Sequence, residues 1–275
     1  MPHDDLLRVD DLRIQTDAGT ELVHGVSFSV PRGGTLGIVG ESGSGKSLTC
    51  RAVLGILPPG VAASSGSIVF GGQEVSRLGY RDWQALRGSR ISAVFQDPAS
   101  YLNPSITVGR QLAEVLRVKT GLGRRAAHRR AVELFAGMGL REPAHVYHQY
   151  PFELSGGMLQ RVLIAIALAA EPELLIADEA TTALDVTVQA EVLDQLDDLR
   201  RERSLTLVLV SHDLAVVAQV CDHVVVMKDG AIVEAGPTDE VLRRPTHDYT
   251  RSLIEHHAAY GIEPFLTEGD RHVRA

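Results

Sequence analysis

The sequence predicts an α/β protein built on a parallel β-sheet covered by helices on both faces. Three observations point there. Apolar runs at residues 36–39, 174–177, 205–210 and 224–227 have strand length and no polar alternation, which is how strands buried on both faces read. Stretches of helical character separate them, as in β–α–β units. A glycine-rich octapeptide at 40–47 joins the first run to a helix candidate at 48–54.

Bulk properties narrow the class. The 275 residues are 44% hydrophobic and 23% charged. A mean hydropathy of +0.03 goes with a packed core in one large or two small domains and argues against disorder. The net charge of −8 disfavours a broad electrostatic grip on nucleic acid or anionic lipid. The N-terminus, MPHDDLLRVDD, lacks the basic and apolar regions of a secretory leader. The longest uninterrupted apolar run, 162–170, falls far short of the roughly 18–20 residues that cross a bilayer. Cys50 and Cys221 have no metal-site spacing and read as reduced thiols. The expectation is an acidic, soluble, intracellular chain.

Along the chain, Val26, Phe28 and Val30 alternate with Ser27 and Ser29 before a Pro-Arg-Gly-Gly turn, which predicts a half-buried strand. Residues 67–70 meet Gly71-Gly72, a hairpin signal. Residues 91–95 form another strand candidate. From about 97 to 154 the pattern turns helical, with Leu112, Val115, Leu116, Val132, Leu134 and Phe135 at helical spacing. Arg124-Arg125 and Arg129-Arg130 read there as a solvated helix face. A long apolar helix is expected over 161–170, stopped by Pro172. Asp229-Gly230 joins 224–227 to 231–233 as an edge hairpin.

The chemistry concentrates at strand ends. Gly40, Glu41, Ser42, Gly43, Ser44, Gly45, Lys46 and Ser47 fit G-x-x-x-x-G-K-[ST] between a strand and a helix, the context of a phosphate-binding loop. Its backbone amides and the helix N-terminus attract phosphate oxygens. Lys46 is expected to reach the β- and γ-phosphates, and the Ser47 hydroxyl to ligate Mg2+. Asp178 ends an apolar strand and is placed to hold Mg2+ through water. Glu179 follows it. Adjacent strand residues face opposite ways, so the strand must be ending for both to serve one site. Glu179 is then free to polarise a water toward the γ-phosphate. Ser155 precedes Gly156-Gly157 and a helix, a second anion site of N-cap and exposed amides. A nucleotide held by Lys46 needs no second site in its own chain, so this one suits a neighbouring subunit's nucleotide. His212 and Gln96 each end a strand and gain meaning only with the others.

In this order and spacing, the segments resemble the ABC-transporter ATPase family. The octapeptide at 40–47 is similar to Walker A, and Gln96 in VFQDP to the Q-loop. LSGGMLQR at 154–161, with Ser155, Gly156, Gly157 and Gln160, is similar to the family signature. LLIADE at 174–179 resembles Walker B, residues 181–185 with Asp185 the D-loop, and His212 in LVSHD the switch histidine. The match runs from about residue 7 to 240. It implies a P-loop NTPase with a RecA-like parallel-sheet core, an antiparallel β subdomain and a helical subdomain insert. The core would be 1–96 and 160–245, the helical subdomain about 97–159, and the tail 246–275. It also implies ATP and Mg2+ as cofactors, with Ser47, Gln96 and Asp178 around the ion, Glu179 as base and His212 on the γ-phosphate. The signature would act in trans in a head-to-tail ATPase dimer.

Within the family, GESGSGKS, QDPASYLNP and the tail PTHDYTR fit the peptide/nickel importer branch. LVHGVS, YPFELSGGMLQR and SLIEHHAAYGIEPF resemble nickel-import ATP-binding subunits. Nickel import is therefore expected, with dipeptides, oligopeptides or a metallophore as the alternative. The implied partners are a second, paralogous ATPase subunit, two membrane permease subunits and an extracytoplasmic solute-binding protein, with no nucleic acid. The implied location is the cytoplasmic face of the membrane, peripherally. Two positions depart from the family: Ala180 stands where proline usually follows the Walker B glutamate, and no aromatic precedes Phe28 to stack on adenine. His256-His257 is not expected to bind metal, since neighbours on a helix point about 100° apart. A kinase or GTPase would leave LSGGM and His212 without a role, and a repair-type ATPase would need heptads that are missing.

Overall fold

The computed structural model describes residues 5–180 and 186–257. In chain order come β1 (Asp5–Thr16), β2 (Glu21–Pro31), β3 (Thr35–Val39), α1 (Lys46–Val53), β4 (Val61–Phe70), β5 (Gln73–Glu74), α2 (Tyr80–Leu86) and β6 (Ile91–Val94). The helices α3 (Val108–Thr120), α4 (Arg124–Gly137), α5 (Pro143–Val146) and α6 (Gly156–Ala167) follow. The chain then alternates through β7 (Leu174–Asp178), α7 (Val186–Arg203), β8 (Thr206–Ser211), α8 (Leu214–Val220), β9 (His223–Lys228) and β10 (Ala231–Pro237), and the described part ends with α9 (Thr238–Arg243) and α10 (Asp248–His257).

Two sheets result. One is antiparallel, in the order β2-β1-β4-β5; the other has six strands, β10-β9-β3-β8-β7-β6. In the larger sheet all neighbours pair in parallel except β9 with β10. Its apolar runs are explained by burial on both faces. Val39, Leu175, Ala177, Leu207, Leu209 and Val226 enter one hydrophobic cluster, shared with α3, α4, α6 and α8. Their strand neighbours Ile38, Leu174, Ile176, Val208, Val210 and Val225 enter a second, shared with β1, β2, β4 and α1. Each strand thus feeds two cores at period two, and no polar alternation is left in the sequence.

The helical middle forms as expected. Leu112, Leu116, Leu134 and Phe135 are buried, while Arg124, Arg125 and Arg129 lie on the exposed face of α4. The Gly71-Gly72 and Asp229-Gly230 hairpins also form. Helix α6 differs from its expected span: it starts at Gly156 and ends at Ala167, before Pro172. Glu171, next to that proline, turns left-handed at φ +54, and a residue before proline avoids the α region. Two elements gave no recognised signal. The buried residues of β1 change phase between Val9 and Leu12, where Asp11 at φ +44 and register shifts in both pairings mark a bulge. Helix α7 carries a dense run of charges, but Val192, Leu193 and Leu196 are its buried stripe. No described helix is long and apolar enough to cross a membrane.

Glu173 ties several elements together. Its carboxylate accepts from Arg90 before β6 and from Arg32 after β2, the latter at 2.6 Å, while its backbone bonds Arg90 and Thr206. The hydrogen bond from Arg90, then that from Arg32, hold the Glu173 carboxyl below its usual range against partial desolvation. A depressed carboxyl contributes stability above its unfolded value of about 4.3, and that stability is lost as pH falls through the folded value. Glu173→Gln should therefore lower Tm at pH 7 by up to about 3 °C, the scale of a partly exposed ion pair. Thermal melts against pH should show the gap to wild type closing below about pH 4.

Candidate functional site

The parallel register brings three strand ends together. Val39 pairs with Ser211 and Asp178 with Val210, so the loop after β3, the end of β7 and His212 after β8 share one carboxyl edge. Crevices outside the carboxyl ends of such sheets are where ligands bind.

The loop at 40–45 depends on glycine for two reasons. Gly40 has φ +147, and a Cβ there would stand 2.1 Å from the Met227 carbonyl oxygen, a backbone atom that cannot yield. Gly43 has open space around it and needs only its φ of +86. Gly45, left-handed at φ +96, caps α1 with no side-chain hydrogen bond. The first amides of α1 are therefore left for a ligand. Ser44 Oγ is buried without a hydrogen-bond partner. Lys46 is 4% exposed and donates from Nζ to the Gly40 and Glu41 carbonyls, both at 2.8 Å. Burial lowers its pKa, while nearby Glu179 and Asp178 oppose that shift.

Ser47 Oγ donates to Asp178 Oδ1 at 2.9 Å. Burial raises the Asp178 pKa, and the bond from Ser47 works against it. Glu179 turns left-handed at φ +50 directly after β7. That turn is how two consecutive residues come to line one cleft, as the sequence required. Glu179 Oε1 lies 3.8 Å from Nδ1 of half-exposed His212.

The cleft has a volume of about 490 Å3 and is lined by Gly43, Lys46, Ser47, Gln96, Asp178 and Glu179 among others. Its residues fit a polyphosphate: an uncapped helix N-terminus and a buried ammonium converge there. The Ser47 and Asp178 oxygens are hard donors of the kind Mg2+ takes. Among the described residues no cluster of three or more His, Cys, Asp or Glu could hold a metal, so an ion here would also need oxygens from the bound ligand. Cys50 and Cys221 are buried and free, and burial pushes both thiols up.

Ser155, Gly156 and Gly157 lie apart from this cleft and contribute nothing to its lining. Ser155 caps α6, its Oγ accepting from the Met158 amide at 3.3 Å. Ser155 and Gly156 are exposed, and a Cβ on Gly156 would meet nothing within 4 Å. Gln160 departs from the expectation that it belongs with them. It is 1% exposed, with Nε2 buried and unpartnered. Four residues into the helix, it points to the interior. Asp185 lies outside the described residues. Sequence reasoning missed Arg161, whose guanidinium bonds the Met138 carbonyl at 2.8 Å, Gln195 at 3.2 Å and Glu191. A lone cation directly before the apolar run at 162–170 was its signal. Tyr249 was missed as a contact of the phosphate loop; its hydroxyl accepts from the Glu41 amide at 3.0 Å.

Comparison with known proteins bears on this arrangement. The ABC transporter family matches residues 23–182. The oligopeptide transport ATP-binding protein OppD of Bacillus subtilis is 46% identical over 90% of this chain and 71% of its own. The dipeptide transport ATP-binding protein DppD of Escherichia coli is 40% identical over 90% of this chain and 77% of its own. Among solved structures, the dimeric ATP-binding cassette MJ0796 bound to ADP and Pi superimposes with a TM-score of 0.76 at 25% identity, covering 84% of this chain and 98% of that one. CbiO1 of Clostridium perfringens gives 0.76 at 28% identity, covering 96% and 98%. With the phosphate loop, the acidic strand end and the two-sheet architecture already in place, these matches show that the chain belongs to the ABC transporter family and is an ATPase whose ATP hydrolysis is coupled to transport.

Proposed function

We propose that this chain is the ATP-hydrolysing subunit of a multi-subunit importer of dipeptides or oligopeptides. The peptide-transport relatives at 40–46% identity carry the substrate class. They favour peptides over nickel, toward which the sequence resemblance leaned. The partners proposed are a second ATPase subunit, a paralogue, together with two permeases and a solute-binding protein. The chain would work at the cytoplasmic face of a membrane without entering it. The proposed division is 1–96 and 160–245 for the core, 97–159 for the helical subdomain and 246–275 for the tail.

The separation between the Lys46 cleft and the exposed loop at 155–157 supports action in pairs, with the loop meeting the partner's γ-phosphate. In each cleft the loop amides and Lys46 hold the phosphates, and Lys46 exchanges its two carbonyl bonds for phosphate oxygens. Ser47 and Asp178, with Gln96 at the mouth, would hold Mg2+, which neutralises charge on the phosphates when bound. Glu179 accepts the proton of the attacking water, and His212, beside it, contacts the γ-phosphate. Gln96 couples the cleft to the permease. In support of that coupling, a second cavity of about 770 Å3 adjoins the cleft, walled by Ile106, Val115, Leu163 and Ile166. Phe95 and Tyr101, stacked with ring centroids 5.3 Å apart, line both spaces. Exposed Tyr101 and Ile106 at its rim suit a docked permease helix.

Glu179→Gln should keep ATP binding while hydrolysis falls about 10²- to 10⁴-fold, the usual worth of a general base. Phosphate release set against nucleotide binding reads this directly, and near-normal turnover would remove Glu179 as the base. Ser155→Arg should abolish transport and dimer-dependent hydrolysis while leaving the chain's own ATP affinity unchanged in equilibrium binding. An equal loss of its own affinity would refute a role in trans. Cells lacking this chain should lose uptake of labelled di- or oligopeptides and retain uptake of nickel; the reverse pattern would return the nickel assignment.

A further inference from the structure

The phosphate loop is held from its outer side by a residue of α10. The Glu41 amide donates to Tyr249 Oη at 3.0 Å. Neither Glu41 nor Tyr249 lines the cleft, so this bond faces away from the phosphates. The start of α10 is itself anchored. The Glu234 carboxylate accepts from the Thr246 amide at 2.7 Å, the Thr246 hydroxyl at 2.9 Å and the His247 amide at 3.1 Å. The Tyr249 amide donates to His247 Nδ1 at 3.1 Å. The Tyr249 ring packs partly buried against the core, with Lys228 Nζ 4.9 Å from its centroid. The hydroxyl is thus carried on a braced helix and presented to one backbone amide of the loop.

Its importance follows from Lys46. Without phosphate, Lys46 binds the Gly40 and Glu41 carbonyls and steadies that end of the loop from within. When Lys46 turns to phosphate oxygens, those bonds are given up. Two hydrogen bonds that do not involve Lys46 hold the loop from outside, the Gly230 amide to the Ser44 carbonyl at 3.2 Å and the Glu41 amide to Tyr249. We infer that Tyr249 is a positioning residue for nucleotide binding: its hydroxyl holds the Gly40–Glu41 end of the phosphate loop in the binding conformation while Lys46 engages phosphate. Tyr249 acts through the loop backbone and touches no nucleotide. This rests on the assignment of the Lys46 cleft as the nucleotide site.

Tyr249→Phe in the full chain removes the hydroxyl and keeps the ring. The expected result is a loss of affinity of about 3- to 10-fold, for ATP and ADP alike, the scale of one neutral hydrogen bond. KM for ATP should rise by a similar factor with kcat at saturation unchanged, and Tm should stay within about 2 °C of wild type. Hydrogen exchange at the Glu41 amide should quicken, an effect that loss of ring packing elsewhere would not single out. Tyr249→Leu, which also removes the ring, measures packing separately. Unchanged affinity and unchanged Glu41 exchange in the Phe variant would overturn the inference. So would an affinity loss that comes only with a Tm drop as large as that of the Leu variant. Lys46→Ala serves as the control for the cleft itself: nucleotide binding that survives it would sink the site assignment, whatever Tyr249 does.

Discussion

The six-stranded sheet is buried on both faces, and most of the molecule follows from that. A strand that feeds one cluster with Leu175 and Ala177 and another with Leu174 and Ile176 has no face left for polar side chains. Polar chemistry is displaced to where the strands stop. Asp178 is the last residue of β7, Ser211 the last of β8, and the phosphate loop begins one residue past β3. Parallel pairing then puts these ends on one edge, since antiparallel neighbours would send them to opposite edges. The catalytic edge is thus a consequence of how the core is filled.

That constraint also explains what was legible in the sequence. Apolar runs marked β3, β7 and β8, the first followed by the glycine-rich loop and the others closed by Asp178 and Ser211. The phosphate loop was readable because its glycines answer to steric demands, most severely at Gly40 against the Met227 carbonyl. The bulge in β1 was not readable, because a phase change at Asp11 cancels the period that identifies a strand. Helix α7 hid its apolar stripe among charges. Gln160 was grouped with Ser155 by motif, whereas helical geometry turns it to the interior. The contact between Tyr249 and Glu41 joins residues 208 apart and leaves no local pattern at all.

The site is set for a ligand. Lys46 bonds to its own loop, Ser47 bonds to Asp178, and Ser44 keeps a hydroxyl without a partner. Burial lowers the Lys46 pKa and raises that of Asp178, so each group is in a setting that disfavours its charge. A bound polyphosphate would favour the Lys46 ammonium, and a cation beside it would favour the Asp178 carboxylate. The neighbouring apolar cavity shares the stacked pair Phe95 and Tyr101 with this cleft.

The left-handed turn at Glu179 has an evolutionary consequence. A non-glycine residue at φ +50 costs roughly 1 kcal/mol or more, least for asparagine and aspartate and most for β-branched residues, while glycine adopts it freely. The residues most at ease in this backbone are therefore too short to reach where the glutamate carboxylate reaches, or have no side chain. Drift at the position is penalised through reach for the short residues and through backbone strain for the β-branched ones. If Glu179 is the base proposed above, a lineage that abandons hydrolysis should fill the position with asparagine, aspartate or glycine, and a valine or threonine there would mark a turn that has been rebuilt.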